Sequence, residues 1–356
     1  MNVAKASSLL TPFFPQGKLV QTEAIKNGLI NQTYKVILEK EGQTQAFILQ
    51  EINQKIFQEP IKIMTNIHLV GQHLSQNNYK SNILQAIPSK SGKTYHLDDK
   101  GKYWRLFPFI ENTCVYNKVE KPILAYEAAR AFGQYLAALW TFPIDKLEET
   151  IPHFHDPKRR YRTFEVIYEA NPLQNRKLAR TVIEFIQKEA SLLQRFHPDK
   201  LPLRVTHNDT KINNVLFDIK TENACCIIDL DTLMPGHLVF DFGDMVRTFC
   251  NRAGEEEQDW TIVHLDLYLF EKLCQGFFEP LGPLISDSEK KQMINGALLI
   301  TYEQAIRFLN DYLTGDRYYA IQYPGHNLCR AYNQTQLLRS MLEQEGRMQE
   351  IVQQFL

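Results

Sequence analysis

The sequence predicts an α+β protein with a small β-rich lobe followed by a larger, mainly helical lobe. Three observations point there. The first third alternates short apolar runs with turn residues. From about residue 118 the apolar spacing turns helical. One β-like stretch, Arg204 to Leu230, interrupts the helices.

The elements follow in order. Lys18 to Ile25 and Thr33 to Glu39 read as strands, with Lys26-Asn27-Gly28 turning between them. Gln45 to Gln50 is a third strand, after the charged turn Glu39-Lys40-Glu41-Gly42. Pro60 opens a helix to about Leu74, with Ile61, Met64, Ile67 and Leu74 at helical spacing. Tyr103 to Phe107 is a further strand, ending at Pro108-Phe109-Ile110. Beyond a connector at 108–118, Ile123, Leu124, Phe132, Leu136, Leu139 and Trp140 line one face of a long helix. Helical patterns cover 176–195, 259–278, 286–313 and 329–354. Val215-Leu216-Phe217 and Cys226-Ile227-Ile228 form a hairpin inside the helical part. No internal repeat or low-complexity tract is present, and a chain of 356 residues suits two domains, 1–110 and 111–356.

Composition excludes several classes. With 44% hydrophobic and 23% charged residues, the chain reads as globular. A net charge of -1 gives no electrostatic reason to expect a nucleic-acid or membrane partner. No apolar run reaches the roughly 20 residues of a membrane span, and Met1 to Pro15 lacks the pattern of a signal peptide. The cysteines at 114, 225, 226, 250, 274 and 329 form no CxxC and suit no zinc spacing. Buried thiols in a reducing cytoplasm are the expectation.

The segment His207-Asn208-Asp209-Thr210-Lys211-Ile212-Asn213-Asn214 carries the chemistry. It fits H-x-D-x-x-x-x-N, in which Asp receives or orients a hydroxyl proton and Asn holds a metal. Phosphoryl transfer needs a placed hydroxyl, a metal on the phosphates and oriented donors. Asp209 would be the catalytic carboxylate and Asn214 a Mg²⁺ ligand. Asp229 ends the second hairpin strand and supplies the main metal carboxylate, with Asp231 beside a second metal or bridging water. His207 is read as a structural loop residue, since the carboxylate two positions on fills the role of base. The tripeptide Asp241-Phe242-Gly243 looks like a kinase metal motif. It follows Pro235-Gly236 at a helix entrance, so Asp241 is expected to cap that helix or to hydrogen-bond the catalytic loop, with Arg247 joining it.

The loop followed by Ile227-Ile228-Asp229-Leu230-Asp231 resembles the aminoglycoside phosphotransferase and choline kinase superfamily, relatives of the protein kinases. Further stretches are similar to the N-acetylhexosamine 1-kinases over nearly the whole chain: Asn27 to Tyr34, Phe47 to Asn53, Asp229-Leu230-Asp231-Thr232-Leu233-Met234-Pro235-Gly236 and Arg307-Phe308-Leu309-Asn310-Asp311-Tyr312-Leu313. The resemblance implies a bilobal protein-kinase-like fold, with ATP as co-substrate bound by residues 1–110 and the catalytic loop, Mg²⁺ site and acceptor helices in 111–356. ATP would lie under the first hairpin, at Gly28, Asn31 and Thr33, with Gln50 on the third strand and adenine on the backbone of Phe109 and Ile110. Asp209 would face the anomeric hydroxyl of an N-acetylated hexosamine, with Arg307 and Tyr318 touching the sugar.

Three departures from the related patterns stand out. Gln50 stands where kinases place a phosphate-binding Lys, and Asn66 where its Glu partner would be, which suggests a neutral amide pair. The first turn has one glycine rather than G-x-G-x-x-G. Gln32 stands where the sugar kinases carry Asp, and this bears on acceptor choice. N-acetylglucosamine, N-acetylgalactosamine and plain hexoses all fit, as does a kinase for an aminoglycoside, choline or homoserine. A protein kinase does not fit. Asn208 replaces the loop Arg, and only about a dozen residues separate Asp229 from Asp241, too few for an activation segment. A catalytically dead nucleotide binder would have no need of Asp209.

Overall fold

The computed structural model describes residues 3–14, 16–25, 30–40, 42–170 and 173–356. Packing divides the chain into two compact units. The first comprises Met1–Thr113, Asp145–Ile151 and Ile228–Met234. The second comprises Cys114–Ile144, Pro152–Ile227 and Pro235–Leu356.

In the first unit, helix α1 (Val3–Leu10) precedes strands β1 (Lys18–Ile25), β2 (Gln32–Lys40) and β3 (Gln43–Glu51), then helix α2 (Pro60–Gln76) and strands β4 (His96–Leu97) and β5 (Tyr103–Pro108). The five strands make one antiparallel sheet in the order β1-β2-β3-β5-β4. Alternation decides which side chains face the core. Val36 and Leu38 from β2, Phe47 and Leu49 from β3, and Trp104 and Leu106 from β5 cluster with Leu9, Leu10 and Phe13. Each such side chain contributes on the order of 1.5–3 kcal/mol on burial. Helix α1 supplies part of this cover, although its short pattern gave no helical signal in the sequence. The turn expected at Lys26-Asn27-Gly28 lies outside the described residues.

Asn66, buried on α2, explains why two later segments join this unit. Its Nδ2 donates to the carbonyls of Glu148 (2.7 Å) and Leu233 (2.8 Å), and its Oδ1 accepts the Glu148 amide (2.9 Å). One side chain thus serves three backbone groups that would otherwise need partners. A single boundary at residue 110 would place these segments with the helical part, whereas the packing groups them with the first unit. The expected Gln50–Asn66 pair is not formed, because Asn66 is wholly committed to backbone.

The short strand β6 (Thr113–Cys114) falls at the first junction between the units. The second unit is mainly helical, with α3 (Pro122–Ala138), α4 (Pro157–Ala170), α5 (Leu173–Leu178) and α6 (Arg180–Lys188) ahead of strands β7 (Arg204–Thr206), β8 (Val215–Asp218) and β9 (Ala224–Ile227). After β10 (Met234–Gly236), at another junction, come α7 (Leu238–Phe249), α8 (Leu267–Leu281), α9 (Asp287–Leu313), α10 (His326–Glu343) and α11 (Glu345–Phe355). Helix α8 starts later than its apolar pattern, because Asp266 accepts the amides of Tyr268 and Leu269 and caps it. Helix α9 is nucleated by a capping box between Ser286 and Glu289. The amphipathic α4 escaped the sequence reading because it buries only Pro157 and Phe164.

Two helix crossings depend on glycine. A Cβ on Gly296 of α9 would lie 2.3 Å from the Val239 carbonyl oxygen on α7, and one on Gly243 would lie 2.7 Å from the Gly296 oxygen. Gly243, the last residue of the Asp-Phe-Gly tripeptide, is therefore a packing residue inside a helix.

Candidate active site

Strand β7 delivers its chain into the loop His207–Lys211, which closes through a 3-10 turn at Ile212–Asn214 onto β8. Asp241 holds this loop from α7. Its Oδ2 accepts the His207 amide (2.8 Å), its Oδ1 accepts the Asn208 amide (2.7 Å), and its own carbonyl accepts the Thr210 hydroxyl (2.7 Å). Of the two roles the sequence allowed Asp241, the structure shows the loop tether; the residue preceding α7 is His237. Burial pushes the Asp241 carboxyl up to about 7, against the two amides that favour its charged form. Arg247 does not join this network. It pairs with Asp244 (2.8 Å) and with Glu255, both nearer along the chain.

Asn208, held in this way, has a left-handed backbone (φ 62°) and turns the chain immediately before Asp209. The Asp209 carboxylate accepts the Asn214 amide (3.0 Å) and pairs with the Lys211 ammonium (3.0 Å). Asn214 also donates to the Asp209 carbonyl (2.7 Å). With its NH₂ committed, the Asn214 Oδ1 is the atom left to serve as a hard oxygen ligand. Burial raises the Asp209 pKa, but Lys211, His207 and Asn214 outweigh it and hold the carboxyl below its usual range. His207 is buried, with its ring edge-on to Phe132 (5.4 Å).

A polar and aromatic cluster lies in the same unit. The His155 ring reaches the Asn208 carbonyl (3.0 Å) on one side and Glu303 (3.4 Å) on the other. Glu303 is fully buried, and its Oε2 has no hydrogen bond. Arg307 donates to Gln304 (3.1 Å), which donates to the Tyr319 hydroxyl (3.2 Å). The Arg307 guanidinium lies near the rings of Phe154 (5.2 Å), Tyr319 (5.7 Å) and Tyr318 (6.0 Å). Burial lowers the Arg307 pKa, while Tyr319, Tyr318, Glu303 and Asp209 raise it by more, so Arg307 sits within the field of Asp209. The structure brings Arg307 and Tyr318 together. It adds Lys211, His155, Glu303 and Tyr319, which sequence reasoning missed. Only Lys211, a cation two residues from the proposed base, carried a usable sequence signal.

The first unit gathers the other named residues. Gln50 donates to the Thr33 hydroxyl (2.9 Å) and accepts from Arg105 through Nε (2.9 Å) and Nη2 (2.5 Å). Arg105 pairs with Asp231 (2.6 Å), whose other oxygen accepts from Asn31 (2.6 Å). Asp231, expected beside a second metal or a bridging water, is buried, and its two oxygens face Arg105 and Asn31. Asp229 is exposed, with a left-handed backbone (φ 58°). The Phe109 amide donates to Ala46, and the Ile110 carbonyl accepts the Thr113 hydroxyl.

The sheet-rich N-terminal part and the helical C-terminal part define a protein-kinase-like fold. Residues 21–265 match the model described as APH, Phosphotransferase enzyme family, and the chain belongs to that family. Among solved structures, a microcompartment-associated aminopropanol kinase is similar over 97% of this chain and 99% of its own, at 13% identity and a TM-score of 0.61. A spectinomycin phosphotransferase, solved with ADP and spectinomycin, is similar over 95% and 98%, at 14% identity and a TM-score of 0.61. An ethanolamine kinase of Plasmodium vivax is similar over 87% and 80%, at 14% identity and a TM-score of 0.52. These likenesses establish the fold that the sequence predicted. Among the described residues, no helix is long and apolar enough to cross a membrane.

Proposed function

We propose that this phosphotransferase moves the γ-phosphoryl group of ATP onto a hydroxyl of a small neutral acceptor, best read as the anomeric hydroxyl of an N-acetylhexosamine. The observation that carries the reading is Asp209: a carboxylate kept ionised by Lys211 and Asn214, on a loop fixed by Asp241. In this reading Asp209 orients the acceptor hydroxyl and receives its proton, and Lys211 balances charge beside it. Catalysis of this kind is mostly positioning and electrostatics.

Asn31 and Thr33, with Gly28 in the preceding turn, attend the nucleotide. Adenine would meet the Phe109 carbonyl and the Ile110 amide, since the Phe109 amide and Ile110 carbonyl are already bonded. Asn214 in the second unit and Asp229 in the first each carry a hard oxygen of the kind Mg²⁺ takes. When bound, the ion would neutralise phosphate charge.

Arg307 supports the neutral acceptor. Its hydrogen bond is to the neutral Gln304 amide, and aromatic faces surround it. Such a cation repels an ammonium and suits acyl or hydroxyl oxygens. One observation favours a second reading, an amine-bearing acceptor: the unbonded Oε2 of Glu303. A panel of hexoses, N-acetylhexosamines, amino alcohols and aminoglycosides with ATP and Mg²⁺, read as ADP release, decides between them. Phosphorus NMR of the product gives the position. A phosphate at carbon 1 of an N-acetylhexosamine is the expected result, and turnover confined to amines overturns it.

A further inference from the structure

The third strand lacks the phosphate-binding Lys, yet this sheet contains a buried cation one strand away. Arg105 on β5 is directly opposite Gln50 on β3 in the antiparallel register. Opposed residues project from the same face of a sheet, so a long side chain at 105 brings its charge to the side chain of residue 50. Arg105 is 1% exposed and its partner Asp231 is 2% exposed. Burying two charges costs more than burying two apolar side chains of the same size, so fold stability alone does not favour such a pair.

The guanidinium fork is spent on residues that lead to the nucleotide and metal positions. Nε and Nη2 hold Gln50, which holds Thr33; Nη1 holds Asp231. Asp231 holds Asn31, whose Oδ1 in turn accepts the Asn53 amide (2.9 Å). Asp231 is two residues beyond Asp229, so pinning it also fixes the left-handed backbone from which the Asp229 carboxylate projects.

We propose that Arg105 is the positioning residue that replaces the third-strand lysine. It acts through Gln50 and Asp231 to fix Thr33 and Asn31 for the nucleotide and Asp229 for its metal. The planar fork matters: Gln50 and Asp231 are engaged by different nitrogens of one group, which a single ammonium cannot reproduce.

This inference rests on the reading of the chain as a Mg²⁺–nucleotide enzyme, and the test separates the two. MgADP and metal-free ADP binding are measured by titration calorimetry on the full chain. Wild type is expected to bind ADP more tightly with Mg²⁺. Arg105→Met alone leaves Asp231 buried without its partner and is at risk of misfolding. The informative variant is therefore R105M/D231L, which removes both charges together, with folding checked by circular dichroism and thermal melting. This variant is expected to fold, to lose at least tenfold in MgADP affinity, and to lose most of the Mg²⁺ enhancement. R105K should recover part of the enhancement. If the folded double variant matches wild type within twofold, with its Mg²⁺ enhancement intact, the role of Arg105 is overturned while the kinase reading stands. If wild type binds no nucleotide, the kinase reading falls and takes this inference with it.

Discussion

The Asp241 carboxylate accepts the backbone amide of Asn208 at 2.7 Å, and so the residue before the proposed base is fixed by a helix 33 positions downstream. Asp241 is also the group whose titration governs a pH effect. Its folded pKa of about 7 lies above the ordinary 3.8, because burial disfavours the charge. Folding therefore favours its protonated form. The resulting contribution is fully present below about pH 3.8 and is lost as pH rises through about 7. Urea midpoints between pH 5 and 8 should fall more steeply with pH for wild type than for Asp241→Asn. Parallel slopes would show that Asp241 does not titrate there.

Asp209 behaves in the opposite sense. Its folded pKa is below 3.8, so its contribution is present above that pH and is lost only as pH falls through the folded value. The Asp209 carboxylate, the proposed base, thus stays ionised across the neutral range. Asp209→Asn should keep ADP affinity and lose roughly 10²–10⁴ in kcat. Rapid-quench turnover beside a nucleotide titration measures both, and unchanged turnover removes Asp209 from the chemistry.

Arg307→Met tests the acceptor site. A hydrogen bond to a charged donor contributes about 1.5–3 kcal/mol, which corresponds to roughly 10–100-fold in acceptor KM. The KM for ATP should hold. Steady-state kinetics with both substrates varied shows whether the change falls on the acceptor alone.

Gly296→Ala places a Cβ 2.3 Å from the Val239 carbonyl oxygen, an atom on a helix backbone that has no rotamer to yield. Overpacking of this kind costs about 1–3 kcal/mol or more. Gly346→Ala is the contrast: nothing lies within 4 Å of a Cβ there, on helix α11. It should stabilise by roughly 0.5–1 kcal/mol. Denaturant midpoints of the two variants should move in opposite directions.

Much of the fold was legible in the sequence because strand and helix periodicity is local. Lys18 to Ile25, Tyr103 to Phe107 and Pro60 onward follow from spacing and proline alone. So does the loop that carries Asp209 and Asn214, five residues apart on a turn between strands. Helices α1 and α4 escaped, one for its shortness and the other for its sparse apolar face. Arg105 left a faint trace, a lone charge between Trp104 and Leu106 in an otherwise apolar strand.

By itself the sequence determined the two-part α+β plan and the loop between strands that carries Asp209 and Asn214. Only the tertiary structure decided that Asp241 tethers the loop, that Asn66 binds backbone, and that Asp231 serves Arg105 and Asn31. Those partners are 55 residues apart for Gln50 and Arg105 and 200 for Asn31 and Asp231. No periodicity reaches across such separations. Which buried polar groups meet is set by strand register and by the need to satisfy each of them once water is gone.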